Sequence, residues 1–269
     1  MENQEWLIGS APKKVTGVGM RVLTRGARAT RYRLRAALNT EDLHAAQSLR
    51  FMVFNLELNE GLEQSYVTLR DSDPFDAVCD HLLVEDVASG EVVGTYRLQT
   101  GLMASRNRGY YSAQEFDFSP FESVRTEVTE LGRACVHRDH RNLLVLSMLW
   151  RGIIAYARHN GCRYLVGCSS LTSQDPREGA SAYLNLGPNY LVEAQFRTHP
   201  LAEYACPLDR LAEVTPRFPP LLRAYLSFGA RICGAPAIDR EFKTIDFLTW
   251  MDLHTLSDGA RRLMGSPAC

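Results

Sequence analysis

The run Thr126-Glu127-Val128-Thr129-Glu130-Leu131-Gly132-Arg133-Ala134-Cys135-Val136 leads directly into His137-Arg138-Asp139-His140-Arg141-Asn142, then Leu143-Leu144-Val145-Leu146-Ser147-Met148-Leu149-Trp150. β-Branched residues at period two predict a strand over the first part. The basic segment predicts a turn, and the apolar segment predicts the start of a buried helix. Alternation puts Val124, Thr126, Val128, Glu130, Gly132, Ala134 and Val136 on one face of the strand. Glu130 is then a carboxylate on an otherwise small, apolar face. Desolvation there suits it to general-base work; a buried ion pair with a neighbouring arginine is the structural alternative. Gly132 in a strand interior marks a bulge or a close backbone approach. A bulge would turn Glu130 and Arg133 into one cleft. Arg138 and Arg141 flank the start of the helix, where positive charge opposes the helix dipole. An anion on the free N–H groups of that end would resolve the conflict.

Working outward, the 269 residues suffice for one large domain or two small ones. The 45% apolar and 23% charged shares are those of an ordinary soluble globular protein. A formal net charge of −1 gives no reason to expect a nucleic-acid partner. No apolar run is long enough to span a bilayer and no secretory h-region follows Met1, so neither secretion nor a membrane span is expected. Seven cysteines without CxxC pairs fit reduced thiols in a cytoplasm. No His/Cys cluster has zinc spacing, so no metal is expected.

Residues 1–30 carry Lys13, Lys14, Arg21, Arg25 and Arg28 with little periodicity, which reads as a mobile basic arm. Such an arm would hold an anionic membrane weakly, at roughly 1 kcal/mol per basic residue, so contact at the periphery of the inner membrane is an expectation. Tyr32 to Leu38 reads as a strand. Asn39 or Thr40 then caps a helix to about Glu57, with Arg50 and Phe54 on one face. An acidic loop with Asp73, Asp76 and Asp80 enters a strand at Leu82 to Glu85. The turn Ala88-Ser89-Gly90-Glu91 leads to a strand over Val92 to Leu98 that contains Arg97. For any single Asp of the loop, turn chemistry is the plain reading; binding a cationic substrate is the functional one. Gly101 to Val124 is a long, aromatic-rich loop of the kind that often forms a lid. Further on we expect a strand at Cys162 to Cys168 and a helix from Pro176 to about Leu184. Strand-like pieces follow at Tyr190 to Phe196, then a helix at Leu221 to Phe228 stopped by Gly229, and a last strand within Phe242 to Leu253. The sum is an α/β (α+β) fold, a mixed sheet with helices on its faces, forming one domain over residues 31–269.

The central strand, turn and helix resemble the core of the GNAT acyltransferase superfamily. The resemblance implies a mixed, mostly antiparallel twisted sheet. GNAT proteins commonly cradle coenzyme A on an Arg/Gln-x-x-Gly-x-Gly/Ala turn. Here the corresponding run is Arg141-Asn142-Leu143-Leu144-Val145-Leu146, without either glycine, so side chains block close approach to a pyrophosphate. Arg50 with Phe54, Asp73 with Asp76, Arg97, and Glu130 with Arg133 match, in order, the motifs of acyl-homoserine lactone synthases and their relatives, which use acyl carrier protein. The segments Cys79-Asp80-His81-Leu82-Leu83-Val84 and Glu130-Leu131-Gly132-Arg133-Ala134-Cys135-Val136 are similar to one branch, the ornithine–acyl-carrier-protein N-acyltransferases. So is the tail Gly234-Ala235-Pro236-Ala237-Ile238-Asp239 with Phe242, Thr244 and Asp246. That branch more often has Pro and Tyr where this chain has Arg138 and His140.

The resemblance implies transfer of a 3-hydroxyacyl group from the carrier's phosphopantetheine to the α-amino group of ornithine, giving lyso-ornithine lipid, with no other cofactor. Glu130 is then the expected base and backbone N–H groups near Cys135 or Val136 the oxyanion donors. Arg97 or Arg133 would take the ornithine carboxylate. Asp73, Asp76 or Asp80 would take its side-chain ammonium, and Arg50 would order the acidic loop by ion pairing instead of touching substrate. Arg138 and Arg141 are the candidates for docking the acidic carrier. Leu146, Met148, Leu149, Trp150 and Val166 are candidate walls for the acyl chain, although a plain core looks the same in sequence. Cys135 reads as a packed thiol, because no His–acid set accompanies it. Two other readings remain: an N-acyl amino acid synthase acting on glycine, glutamine or tyrosine, and a catalytically silent carrier- or lipid-binding protein.

Overall fold

Strands and helices alternate where the sequence pattern changes from period two to helical spacing. A computed structural model describes residues 31–213 and 217–264, so the basic arm of residues 1–30 lies outside the described residues. The strands are β1 (Tyr32–Ala36), β2 (Asp80–Asp86), β3 (Val92–Thr100), β4 (Val128–Val136), β5 (Tyr164–Leu171), β6 (Arg231–Ile232), β7 (Ala237–Asp239) and β8 (Thr244–Asp252). The helices are α1 (Thr40–Phe51), α2 (Ser65–Thr68), α3 (Gly101–Arg106), α4 (Leu143–His159), α5 (Pro176–Tyr190), α6 (Pro220–Phe228) and α7 (Asp258–Met264). All eight strands share one sheet in the order β1-β2-β3-β4-β5-β8-β6, with β7 also on β8.

Among the described residues, every strand pairing is antiparallel except β4 with β5. That parallel contact is short: Val128, Thr129 and Glu130 face Tyr164, Leu165 and Val166. Beyond Glu130 the β5 side of β4 has no strand partner among the described residues. The two strands are still pressed together where they begin to part. A Cβ on Gly167 would lie 2.2 Å from the Leu131 carbonyl oxygen, so only glycine fits there.

Helix ends follow local chemistry. Asn39 caps α1 through the Asp42 N–H, and Asn142 caps α4 through Leu144 and Val145. Gly229 ends α6 at φ 108°. After Phe51, α1 continues as a π-helical turn over Met52–Glu57. The apolar face of α4 buries Trp150 against Tyr225 and Phe228, edge-on at 5.3 Å to each. Pairs of this kind add about 0.5–1.5 kcal/mol beyond area burial. On the other face of the sheet, Leu49, Val53 and Phe54 pack against Cys135 and Phe242.

Three expectations are corrected. The aromatic-rich stretch is core, not lid: Tyr110, Phe116, Phe118 and Phe121 are buried, and Phe121 stacks on Trp250 at 4.9 Å. Aromatic area of this size gains most from burial, which holds the segment down despite its irregular backbone. Tyr190 to Phe196 forms no strand. Instead α5 runs past Leu184 to Tyr190, Leu191 makes one bridge to Ile232, and a 3-10 turn covers Ala194–Phe196.

The third correction concerns β4. A bulge is present, since Arg97 pairs with Gly132 while Thr95 pairs with Cys135, leaving Arg133 and Ala134 together opposite Tyr96. The left-handed residue is Arg133, at φ 49°, rather than Gly132. The bulge reverses the alternation. Val128 joins the aromatic core, whereas Ala134 and Val136 pack toward α4. Val124 to Val136 therefore do not share one face.

Candidate active site

Six buried charges meet on the α1 face of the sheet. α1 supplies Arg50, the loop before β2 supplies Asp71, Asp73 and Asp76, β3 supplies Arg97, and the β4 bulge supplies Arg133. Arg50 lies 2.9 Å from Asp71 and 2.6 Å from Asp76. Arg97 lies 2.7 Å from Asp73 and 2.9 Å from Asp76. Arg133 is held more loosely, 3.1 Å from Asp73 and 3.4 Å from Asp71. Its guanidinium lies 4.9 Å from the Tyr111 ring and 4.4 Å from the Phe242 ring. Burial alone would raise the Asp76 carboxyl; Arg50 and Arg97 outweigh it and hold the group far below the usual range. Burial of Asp73 is outweighed in the same way by Arg97 and Arg133. Burial pushes His81 down to about 4, so it is neutral near pH 7 and donates through Nε2 to the Asp76 carbonyl at 3.1 Å.

The fold therefore brings Arg50, Asp73, Asp76, Arg97 and Arg133 together, and three guanidiniums neutralise three carboxylates. Asp71, fully buried, is the member that sequence reading missed. Its only signal was membership of the same acidic run. Asp80 stands apart, accepting from the Tyr156 hydroxyl of α4 at 2.8 Å. Burial raises its carboxyl, and that hydroxyl opposes the rise. Alternation along β2 explains the separation: His81 faces the network, so its neighbour Asp80 faces α4.

Glu130 is buried beside this network, and its partners are N–H groups rather than an arginine. Its oxygens accept from the Tyr111 N–H at 2.8 Å, the Ser112 N–H at 2.8 Å and Gln99 Nε2 at 2.6 Å. Glu130 thereby ties the segment around Tyr111 to β4.

The open edge of β4 exposes Val136 rather than Cys135. The His137 N–H donates to the Val93 carbonyl at 2.9 Å. Ladder alternation then turns the Cys135 N–H toward β3 and aims the Val136 N–H and C=O at the gap. The Val136 carbonyl indeed accepts from Arg141 Nε at 3.0 Å. Burial pushes the Cys135 thiol far up, and it packs as an apolar group.

At the start of α4, Arg141 also grips Glu57 with both nitrogens, at 2.6 and 2.8 Å. The Asn142 side chain already takes the Leu144 and Val145 N–H groups, both at 3.0 Å. An internal carboxylate and an internal cap thus occupy the place where a bound anion was expected. Arg138 is exposed, and beside it Leu143 and Leu144 are 73% and 51% exposed.

An apolar cavity of about 20 Å³ lies where β4 and β5 part, walled by Leu131, Trp150, Val166, Cys168, Thr249 and Met251 among others. Trp150 and Val166 are among the expected acyl-chain walls; Leu146, Met148 and Leu149 do not line it. Cys168 also borders a second group of acids. One ligand atom each from Glu115, Cys168 and Asp246 lie within 4.8 Å of one another, and Asp239 is close by. Burial, then Asp246 and Asp239, push the Glu115 carboxyl well up; burial pushes Asp246 up to about 6. No sequence signal marked Glu115, which shares its aromatic stretch with Asp117, and Asp239 and Asp246 stood out only as part of the tail.

A parallel contact that opens into a cleft, an unpaired β4 edge and buried acid–base groups beside it define an acyltransferase of the GNAT fold. The acetyltransferase (GNAT) domain family matches residues 49–151. Among solved structures, the acyl-homoserine lactone synthase LasI aligns with a TM-score of 0.51 at 12% identity, covering 88% of this chain and 96% of LasI. FeeM, an N-acyl amino acid synthase from uncultured soil microbes, aligns with a TM-score of 0.51 at 10% identity, covering 86% of this chain and 94% of FeeM. These likenesses establish the fold. In sequence, the chain is 32% identical over 238 residues to the L-ornithine N(alpha)-acyltransferase of Agrobacterium fabrum, covering 83% of this chain and 81% of that protein. It is 32% identical to the enzyme of the same name from Brucella abortus, covering 83% of this chain and 85% of that one. The chain belongs to the L-ornithine N(alpha)-acyltransferase family.

Proposed function

We propose that this chain transfers a 3-hydroxyacyl group from the phosphopantetheine thioester of acyl carrier protein to the α-amino group of L-ornithine, giving lyso-ornithine lipid. The observation that carries the acceptor is the identity to relatives named for that activity over more than four fifths of the chain. The donor is supported by the start of α4. Its N–H groups are taken by Asn142 and its arginine by Glu57, which disfavours a nucleotide pyrophosphate there. A carrier protein needs no such cradle. Exposed Arg138, Leu143 and Leu144 offer it a basic and apolar landing surface. Arg141 contributes to docking only by sharing its charge with Glu57.

The chemistry is aminolysis of a thioester. Ornithine's carboxylate lies on Arg133, the arginine of the network with the longest ion pairs. Arg50 and Arg97 hold the acidic loop in place, and Asp73 and Asp76 serve that network rather than the acceptor. The α-amine gives its proton to Glu130, directly or through a water. Three N–H donors leave one lone-pair direction of that carboxylate free. The nitrogen adds to the carbonyl carbon, the oxyanion meets the Val136 N–H, and collapse expels the carrier thiolate, which recovers a proton. The six described cysteines are all free thiols, in keeping with a cytoplasmic site of action. No helix among the described residues is long and apolar enough to cross a membrane, so any lipid contact is peripheral in this reading.

Purified protein incubated with 3-hydroxyacyl carrier protein and a panel of amino acids should yield N-acylornithine by mass spectrometry. Glu130→Gln should cut the rate by roughly 10²–10⁴-fold. Acylated glycine or glutamine in place of ornithine would overturn the acceptor. No product with any acceptor, from folded protein, would sink the reaction itself.

A further inference from the structure

We propose that the Glu115–Asp246 carboxyl pair, backed by Asp239, binds the second ammonium of a diamino acid acceptor and so sets which amino acid is acylated. The inference rests on the reaction proposed above and deepens it.

The acidic loop that the sequence offered for this task is already neutral, because each of its buried aspartates pairs with an arginine. Glu130 already accepts from three N–H donors and keeps its remaining lone-pair direction for the reacting amine. Glu115 and Asp246 differ from both. They are 3% and 5% exposed; Glu115 Oε2 and Asp246 Oδ1 accept from no N–H or hydroxyl of good geometry, and the two carboxyls lie within hydrogen-bond reach of each other. Buried carboxylate oxygens without a donor are costly, and a cation aimed between them removes that cost. Asp239 adds charge from behind, its Oδ1 fixed by the Glu241 and Phe242 N–H groups at 2.9 and 2.8 Å.

The surroundings match the two ends of an amino acid. Arg133 is close enough for its charge to act on Glu115, so a group that can take a carboxylate and a pair that can take an ammonium are neighbours in the fold. Tyr111 neighbours both, with Arg133 on its ring and both Glu115 and Asp239 within electrostatic reach. Cys168 ties the pair to the acyl side, since it touches both the carboxyl pair and the cavity between β4 and β5.

Proton balance gives the proposal a signature. Burial and the neighbouring carboxylates favour keeping a proton on the empty pair. When R–NH3+ enters, both carboxyls ionise against it and that proton leaves to solvent. Ornithine binding therefore releases a proton, whereas norvaline, the same skeleton without the second amine, releases none.

Two measurements test this on the full chain. Calorimetric titration of L-ornithine into the unmodified protein at pH 7, in two buffers of different ionisation enthalpy, should show net proton release. In acyl transfer, the ratio of kcat/KM for ornithine over norvaline should fall by about ten- to a hundredfold in Glu115→Gln and in Asp246→Asn. An unchanged ratio in folded variants overturns the proposal, as does ornithine binding without proton release. A stoichiometric metal ion in the purified protein that Glu115→Gln loses would make the pair a metal site and also overturn it. If the variants do not fold, the calorimetry on unmodified protein decides alone. Failure of the unmodified protein to acylate any amino acid would strike the reaction above, not this pocket.

Discussion

Arg50 shows what a single side chain does here. It is fully buried on α1 and meets two aspartates from a loop far along the chain. Removing one partner of such a network leaves carboxylates buried without their cation. Arg50→Met should therefore lower unfolding stability by about 3–5 kcal/mol in urea titrations. A loss under about 1 kcal/mol would mean that Arg97 and Arg133 can carry all three aspartates by themselves. Arg50, Asp73, Asp76, Arg97 and Arg133 were legible in sequence as members of spaced motifs, and the fold brings these five side chains into one ion-pair network. Their charge state was not legible. Whether an aspartate is free for substrate or spent on an arginine depends on which loop folds over which strand, and no local pattern encodes that. Glu115 was illegible for the same reason, since its meaning comes from Asp246, which arrives on β8.

At the scale of elements, the contact between β4 and β5 decides where the cleft opens. Gly167 is the residue that permits it, because any Cβ there would run into the Leu131 carbonyl. Gly167→Ala should force the strands apart, cost about 1–3 kcal/mol, and lower acyl transfer by displacing the Val136 edge. Unchanged thermal stability together with full activity would show that the contact yields without consequence. The central strand, the turn and the buried helix were readable in advance from their periodicity, as were the caps at Asn39 and Gly229. The bulge in β4 was readable from Gly132, but the strain falls one residue later on Arg133. Short β6 and β7 and helix α7 carry too few periodic residues to be read, and the long aromatic stretch was misread because its short α3 and 3-10 turns show no periodicity while still filling a core.

For the whole molecule, the two buried acid groups pull stability in opposite directions with pH. Asp73 and Asp76 titrate below their unfolded values, so the stability they give is present above about pH 4 and is lost as pH falls further. Asp246, raised to about 6, holds its proton longer folded than unfolded, so stability is lost as pH rises from about 4 toward 6. Asp246→Asn removes that second loss. Its melting temperature should exceed that of the unmodified protein near pH 7.5, and the gain should shrink toward pH 4.5. A gain that is constant with pH would show that Asp246 is not the titrating group. A pair kept for binding and not for stability is expected to behave this way.

The strand order carries a last consequence, for the sequence of events during synthesis. β1 to β4 pair with near neighbours along the chain, so that half of the sheet can close as it emerges. β5 cannot. Its antiparallel partner β8 spans Thr244–Asp252, far later in the chain. A nascent chain must hold the apolar edge Tyr164–Leu171 open while the intervening helices are made, exposed to pairing with any other strand it meets. The strand that completes the sheet also brings Asp246, so Glu115 gains its carboxyl neighbour only when β8 has been made.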